Sequence, residues 1–403
     1  MSAGTPVLDL DDVASLEAAD AEGVLCSAAS GGAQIRATAA ALAEDALSRL
    51  TDLRPRSLVL VSGSGRAARA AALLIAALGD RTSMPLVPAT SIPPWVGPLD
   101  VVLVAGDDAG DPRLAEAVDR ALRRGAEVVV AAPDEGPIRA AAAGRATILA
   151  PRVRVLDHNR MLRYLAAGVA VLSTIDPHRV GPLVPELNAL ADLLDEEALR
   201  DGPLNEAFHN PAKTLATRMQ QRKRTVLTGD SAAATVVAEH GAEVLLAVSG
   251  QIATAVTLPE AIAAHGRLIE AAKSAVSPDF DPLFHDEQLD GPAPVEQVRV
   301  FVLSADPDEV AVRRRIAVFG SDAGLVDADL VTIDAEVAGP SVSARNREAT
   351  AVGEPDQLER TGRGGELEKL AVLALRLEMA AAYLRLLGSR PATGPGHYDG
   401  GNY

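Results

Sequence analysis

Apolar and polar positions alternate between two periods along this chain. Up to residue 50 the period is helical: Ile35, Ala39, Leu42, Ala46 and Leu50 recur three to four apart, and Asp9, Asp11 and Asp12 offer N-caps ahead of them. A short unbroken apolar run, Ser57–Ser62, then meets Gly63-Ser64-Gly65 and the alanine-rich stretch Arg66–Leu78, which predicts strand, tight loop and helix. The same order returns at Asp100–Ala105, a polar turn over Gly106–Pro112, a helix over Arg113–Arg124 and a strand at Glu127–Ala132 after the helix-ending Gly125. Continuous apolar strands alternating with helices of this length predict parallel sheets covered on both faces.

Residues 161–222 read as mostly helical, broken at Asp176-Pro177 and at His209-Asn210-Pro211. The alternation then resumes. Thr225–Thr228 leads into Gly229-Asp230-Ser231 and a helix to His240; Glu243–Val248 is expected to be a strand, followed by Gly250 and a helix to Lys273. A strand over Val298–Leu303, a helix over Asp308–Val318 and a strand over Leu330–Asp334 complete the repeat, so one α/β plan occurs twice. Residues 335–365 are polar and irregular, Glu366–Leu387 predicts a long helix, and the glycine-rich 389–403 is expected to be disordered. The expected organisation is a helical arm (1–55), a first α/β unit (56–170), a helical bridge (171–222), a second α/β unit (223–388) and the tail. Each unit should be a three-layer α/β/α sandwich on a flavodoxin-like parallel sheet, with the long helix closing the second.

Composition narrows the function. The 403 residues carry 38 basic and 55 acidic side chains, a net charge of −17, which disfavours nucleic acid or an anionic membrane as partner. Cys26 stands alone, so neither an intramolecular disulfide framework nor a cysteine-rich metal site can form; a reducing compartment, the cytoplasm, is expected. No uncharged apolar run reaches the roughly 18–20 residues that span a bilayer, and the first residues are acidic where a signal peptide would be basic. Four lysines leave anion recognition to arginine.

Several segments, in this order, resemble the bifunctional phosphoglucose/phosphomannose isomerase family, built from two sugar-isomerase (SIS) domains, and in their divergence its TobH-type members. They are residues 23–35, Gly63-Ser64-Gly65, Ser91–Trp95, Asn159–Tyr164, and Asn210-Pro211-Ala212-Lys213, which repeats the family's N-P-A-K; together they span most of residues 20–390. Leu268–Lys273 is similar to the segment holding the family's catalytic glutamate, and His285-Asp286-Glu287 to the one holding its catalytic histidine, at a spacing one residue short. The resemblance implies two SIS-type domains, a homodimer, no metal or cofactor, and isomerisation of glucose 6-phosphate or mannose 6-phosphate to fructose 6-phosphate.

Such a reaction needs an acid/base at the ring oxygen and a base that moves a proton between C1 and C2; histidine suits the first task and a desolvated carboxylate the second. The resemblance assigns these to His285 and Glu270. For substrate binding the candidates are Gly63, Ser64, Gly65 and Arg66 at the phosphate, Asp107 in the loop after the second strand, Arg160 as a replacement cation, and His209 beside the N-P-A-K segment. Two departures weaken the enzyme. Asp107, Asp108 and Asp111 stand where the family has phosphate-holding hydroxyls, and a carboxylate about 4 Å from a phosphate charge costs about 4 kcal/mol at an effective dielectric near 20. The family's C-terminal catalytic lysine is also missing, the last lysine here being Lys369. The alternative is therefore a non-catalytic binder of a sugar phosphate or nucleotide sugar, with a regulatory part in mannose metabolism.

Overall fold

The computed structural model describes residues 8–221, 224–274, 297–320, 325–333 and 365–388. The N-terminal segment folds as α1 (Val13–Ala19), α2 (Val24–Ala29) and α3 (Gly31–Ala43). Asp12 caps α1, and both oxygens of Asp20 accept backbone N–H groups at the start of α2. Helix α3 lies within the core: a Cβ on Gly31 would fall 2.5 Å from a methyl of Leu375, and one on Gly32 would fall 2.6 Å from the carbonyl of Ala191.

The first sheet follows as β1 (Ser57–Ser62), α4 (Arg66–Leu78), β2 (Leu86–Ala89), β3 (Asp100–Ala105), α5 (Pro112–Arg123), β4 (Glu127–Ala131), α6 (Gly136–Ala142) and β5 (Thr147–Ile148), then α7 (Met161–Ile175). All strands are parallel in the order β2-β1-β3-β4-β5. Leu58, Leu60, Leu103 and Val129 face α3, α4 and α7, while Val59, Val61, Val102, Val104, Val128 and Val130 face α5 and α6, so burial on both faces produces the unbroken apolar runs. The edge strands escape the apolar pattern: β2 has four residues including Pro88, tolerable only where one side of the strand is unpaired, and β5 has two.

The bridge contains α8 (Pro177–Val180), α9 (Leu187–Arg200) and α10 (Pro211–Gln220). Asn210 caps α10 and Pro211 takes its first position, while the buried Lys213 Nζ donates to the carbonyls of Pro203 (2.9 Å) and Asn205 (2.6 Å). The N-P-A-K segment thus staples a turn to a helix.

The second sheet comprises β6 (Arg224–Gly229), α11 (Ala232–Ser249), β7 (Ala253–Thr257), α12 (Leu258–Ser274), β8 (Val298–Leu303), α13 (Glu309–Ile316) and β9 (Val326–Val331), in the parallel order β7-β6-β8-β9, and α14 (Gly365–Gly388) closes the fold. One sequence expectation is overturned here. Glu243–Val248 is the end of α11, with Val244, Leu245 and Val248 buried and Leu246 60% exposed, a helical spacing that a short apolar run disguises. The strand is β7, which begins only at Ala253. By length and composition α11 could cross a membrane; here it packs between the second sheet, α4 and α14. Strand β9 begins earlier than expected because its buried Asp329, held by Arg218 at 2.8 Å, interrupts the apolar pattern. The predicted tail, 389–403, lies outside the described residues.

Asp201, at the end of α9, ties three helices together. Its Oδ1 accepts from Ala212 N at 3.0 Å and its carbonyl accepts from the Tyr383 hydroxyl at 2.7 Å, while Oδ2 has no partner among the described residues. Burial, reinforced by the neighbouring Glu197, pushes its carboxyl up to about 8. A raised folded-state value means that the group's stabilising contribution is complete below about pH 4 and is lost as pH climbs toward 8, at most about 1.4 kcal/mol per unit. Urea unfolding of wild type and Asp201→Asn between about pH 5 and 8 should therefore show the variant gaining steadily on wild type. A constant difference would refute the assignment.

Candidate functional site

In each sheet the strand order reverses once, between β1 and β3 and between β6 and β8, and the loops leaving these strands in opposite directions open a crevice at the carboxyl edge. At the first crevice, Gly63-Ser64-Gly65 leaves β1 and Gly106-Asp107-Asp108 leaves β3. Gly65 adopts φ 82° and ψ −140°, backbone open essentially to glycine, and delivers the chain into α4 with no capping side chain among the described residues. The first-turn N–H groups of a 13-residue helix are thereby left for a ligand, at the positive end of its dipole.

Across the crevice Asp107 Oδ1 accepts a short hydrogen bond from the Tyr164 hydroxyl and lies 3.1 Å from Arg160 Nη1. Arg160 also meets Asp157 at 2.5 Å, and its buried Nε has no partner among the described residues. Burial pushes the Tyr164 phenol far up, the Asp107 charge adding to the effect, so Tyr164 remains a donor. The other carboxylates of this edge serve the backbone: Asp108 accepts from Gly110 N at 2.7 Å, and Asp111 caps α5 through Arg113 N at 2.8 Å. From Ser62 and Gly63 an open groove of about 780 Å³ runs along Ala72 and Ile75 of α4 toward Thr90–Pro94, a size that suits a small-molecule ligand.

The second crevice is closed. Ser304 Oγ, after β8, donates to Asp230 Oδ2, after β6, at 2.5 Å, bridging the switch point. Ser231 already caps α11 by accepting from Ala234 N, and burial pushes the Asp230 carboxyl up. Gly229 lies so close to α11 that an added Cβ would stand 2.1 Å from Thr235 N. Among the described residues no trio of His, Cys, Asp or Glu side chains is disposed to hold a metal ion.

Of the residues singled out in the sequence, the structure brings together Gly63, Ser64, Gly65, Asp107 and Arg160. Arg66 turns away: its Nη1 donates to Glu243 of α11 at 2.7 Å and lies 3.4 Å from His240 Nδ1, so it joins the domains and does not face the crevice. Glu270 stands elsewhere. Helix α12 leaves the carboxyl end of β7 and runs back, and Arg224, the first residue of β6, donates to the carbonyl of Ala271 at 3.2 Å. That places Glu270 at the amino edge of the second sheet, its side chain 67% exposed and paired with Arg267 at 2.7 Å, without the burial that makes a carboxylate a good base. His209 is exposed in a short turn before α10, edge-on to Phe208. His285 lies outside the described residues.

Sequence reasoning missed the support behind the crevice. Buried His240 Nε2 lies 2.8 Å from Glu378 Oε1, Glu378 Oε2 accepts from Asn159 Nδ2 at 2.8 Å, and Asn159 Oδ1 accepts from Ser27 Oγ at 2.7 Å. Beside this chain, Arg69 of α4 pairs with Glu239 and Glu243 of α11. His158, next to Asn159, is half-buried, and burial pushes its imidazole down.

No family model and no curated relative matches the sequence. Solved structures do match over nearly the full length. The chain is similar to tagatose-6-phosphate ketose/aldose isomerase from Escherichia coli, at 16% identity and a TM-score of 0.54 over 91% of this chain and 93% of that one. It is similar to the C-terminal domain of glucosamine-fructose-6-phosphate aminotransferase from Francisella tularensis, at 11% and 0.54 over 91% and 95%. A hypothetical protein from Thermus thermophilus matches at 13% and 0.57 over 94% and 89%. At these identities the likeness is one of fold: two SIS-type α/β domains on parallel sheets.

Proposed function

We propose that this chain binds a sugar phosphate at the β1/β3 crevice of its first domain. The observation that carries the reading is the uncapped start of α4 behind Gly63-Ser64-Gly65, facing the Asp107–Arg160–Tyr164 cluster across the switch point. The phosphate takes the helix N-terminus, and the Asp107 carboxylate, its charge offset by Arg160, accepts from sugar hydroxyls. The likeness in fold to a tagatose-6-phosphate ketose/aldose isomerase and to a glucosamine-fructose-6-phosphate aminotransferase domain supports this ligand class.

Calorimetry with glucose 6-phosphate, mannose 6-phosphate and fructose 6-phosphate tests it. Binding of a hexose phosphate at least tenfold tighter than the free hexose is expected. Ser64→Glu, which sets a carboxylate in an exposed loop, should weaken it at least tenfold, because like charges a few ångströms apart repel by about 4 kcal/mol at intermediate dielectric. Absence of binding, or binding indifferent to Ser64→Glu, overturns the reading.

A second reading, aldose–ketose isomerisation of the same ligands to fructose 6-phosphate, draws on Asp107, a carboxylate already inside the crevice and oriented by a tyrosine hydroxyl, where proton transfer between C1 and C2 requires a base. It replaces Glu270 in that role. Fructose 6-phosphate formation abolished by Asp107→Asn supports isomerisation; intact binding with no turnover leaves the chain a sugar-phosphate binder without catalysis.

A further inference from the structure

A second space lies behind the crevice. Between α3, α7 and the segment after β5 there is a small cavity of about 110 Å³, lined by Gln34, Thr38, Arg152, Val153, Arg163 and Ala167 among others. It is smaller than the roughly 150 Å³ pocket that holds benzene in an engineered protein, so it admits an ion of phosphate size but no hexose phosphate.

Two of its polar groups are unfinished. Arg163 donates one hydrogen bond to the Val153 carbonyl at 2.8 Å and forms no close ion pair among the described residues; burial holds its guanidinium below the usual arginine range, outweighing Tyr164 and the Asp107 carboxylate, which act on it from the crevice side. Gln34 is 3% exposed. Its Nε2 donates to the Asn159 carbonyl at 2.9 Å, which fixes the orientation of the amide, and its Oε1 has no partner among the described residues. The cavity therefore presents a half-used cation and an unmet acceptor. Arg152, also on its wall, is already paired with Glu44.

We infer that this cavity is a binding site for a small oxyanion that carries its own O–H, such as hydrogen phosphate or a two- or three-carbon hydroxycarboxylate, with Arg163 holding the charge and Gln34 Oε1 accepting the hydroxyl. Water alone would satisfy Gln34 but leave the guanidinium without a counter-charge at ion-pair distance, Asp107 acting on it only from the crevice side. Sulfate, equal in size and charge but without a proton at neutral pH, would set a lone pair against the Gln34 oxygen. Arg163 adjoins Tyr164 on α7, so an ion here sits directly behind the Tyr164–Asp107 bond.

The probes are inorganic phosphate and glycolate, each against its control, sulfate and acetate, measured by calorimetry on the full chain. One saturable event that persists in Ser64→Glu, and so is not phosphate binding at the crevice, is expected; it favours phosphate over sulfate and glycolate over acetate at least fivefold in whichever pair binds, which also identifies the source. Arg163→Met should weaken it at least tenfold, Gln34→Met should erase the preference for the hydroxylated ion, and Arg81→Met, whose pair with Glu366 is no part of the cavity wall, should leave both unchanged. A crystal grown in the preferred ion supplies the second measurement should a variant misfold: an oxyanion bonded to Arg163 and Gln34 confirms the site. Waters alone in the cavity, no preference within either pair, or binding that survives Arg163→Met overturns it.

Discussion

Replacing Arg376 with methionine is expected to cost about 3–5 kcal/mol, a large share of the stability of a typical domain. The guanidinium is fully buried in the middle of α14, with Nε 2.6 Å from Glu197 Oε1, Nη1 donating to the Thr332 carbonyl at 2.7 Å and Nη2 to that of Ile333 at 3.4 Å. It fastens α9 and the end of β9 to one helix. Methionine fills the volume of the stem but takes the donor from a buried carboxylate and weakens the ties to β9; Arg200, which stays at 3.4 Å from the outer oxygen of Glu197 and at 3.5 Å from the Ile333 carbonyl, is too exposed to compensate. Urea unfolding followed by circular dichroism measures the loss, and a loss under about 1 kcal/mol would show that water replaces the arginine. The double variant Arg376→Met/Glu197→Met should recover at least half of the cost, since removing both charges also removes the desolvation penalty.

How much of this was legible depended on sequence distance. Strands β1, β3, β6 and β8 announced themselves because helices cover both faces of each sheet, and the loops at their carboxyl ends, with Gly63, Ser64, Gly65 and Asp107, followed directly. The segment around Glu243 was misread because a short buried helical run and a buried strand carry the same apolar letters. That error hid the partner of Arg66: with Glu243 in a strand, the arginine beside the glycine loop looked free for phosphate. Ser27, Asn159, His240 and Glu378 are separated by up to 219 positions along any one bond, and no local pattern marks residues that meet only after both domains have closed on α14.

The duplicated plan has also been used unequally. Both sheets place a glycine loop after their first central strand, but in the second domain Ser231 caps the helix and the Asp230–Ser304 bond spans the switch point, so its dipole and crevice are already occupied by the protein's own groups. In the first domain glycine stands where that capping serine would be, and the helix start is left open. One repeat is closed by its own side chains and the other presents an open crevice. The resemblance in sequence could not separate these roles, because it assigned the chemistry to α12 and to residues 285–287, and the open crevice is in the other domain.

The contacts between the halves carry the last expectation, which couples stability to binding. Arg66 Nη1 faces His240 Nδ1 as a donor, which makes Nδ1 the acceptor and leaves the hydrogen on Nε2, pointing at Glu378 Oε1. Glu378 therefore accepts from two buried donors, His240 and Asn159. Glu378→Leu leaves both without an acceptor and is expected to cost about 3–5 kcal/mol. Glu378→Gln turns an amide NH₂ toward one of them whichever way it is flipped, and is expected to cost about 1–3 kcal/mol. Asn159 immediately precedes Arg160, so releasing it loosens the cation that holds Asp107 in the crevice. Under conditions where Glu378→Gln stays folded, its affinity for the sugar phosphate should fall at least threefold although residue 378 touches no part of the crevice, and Arg81→Met, which removes a surface pair to Glu366 on the same helix, should leave affinity unchanged. Equal affinity in wild type and Glu378→Gln would mean that Arg160 is set by the first domain alone, and that the domain junction supports the fold without tuning the site.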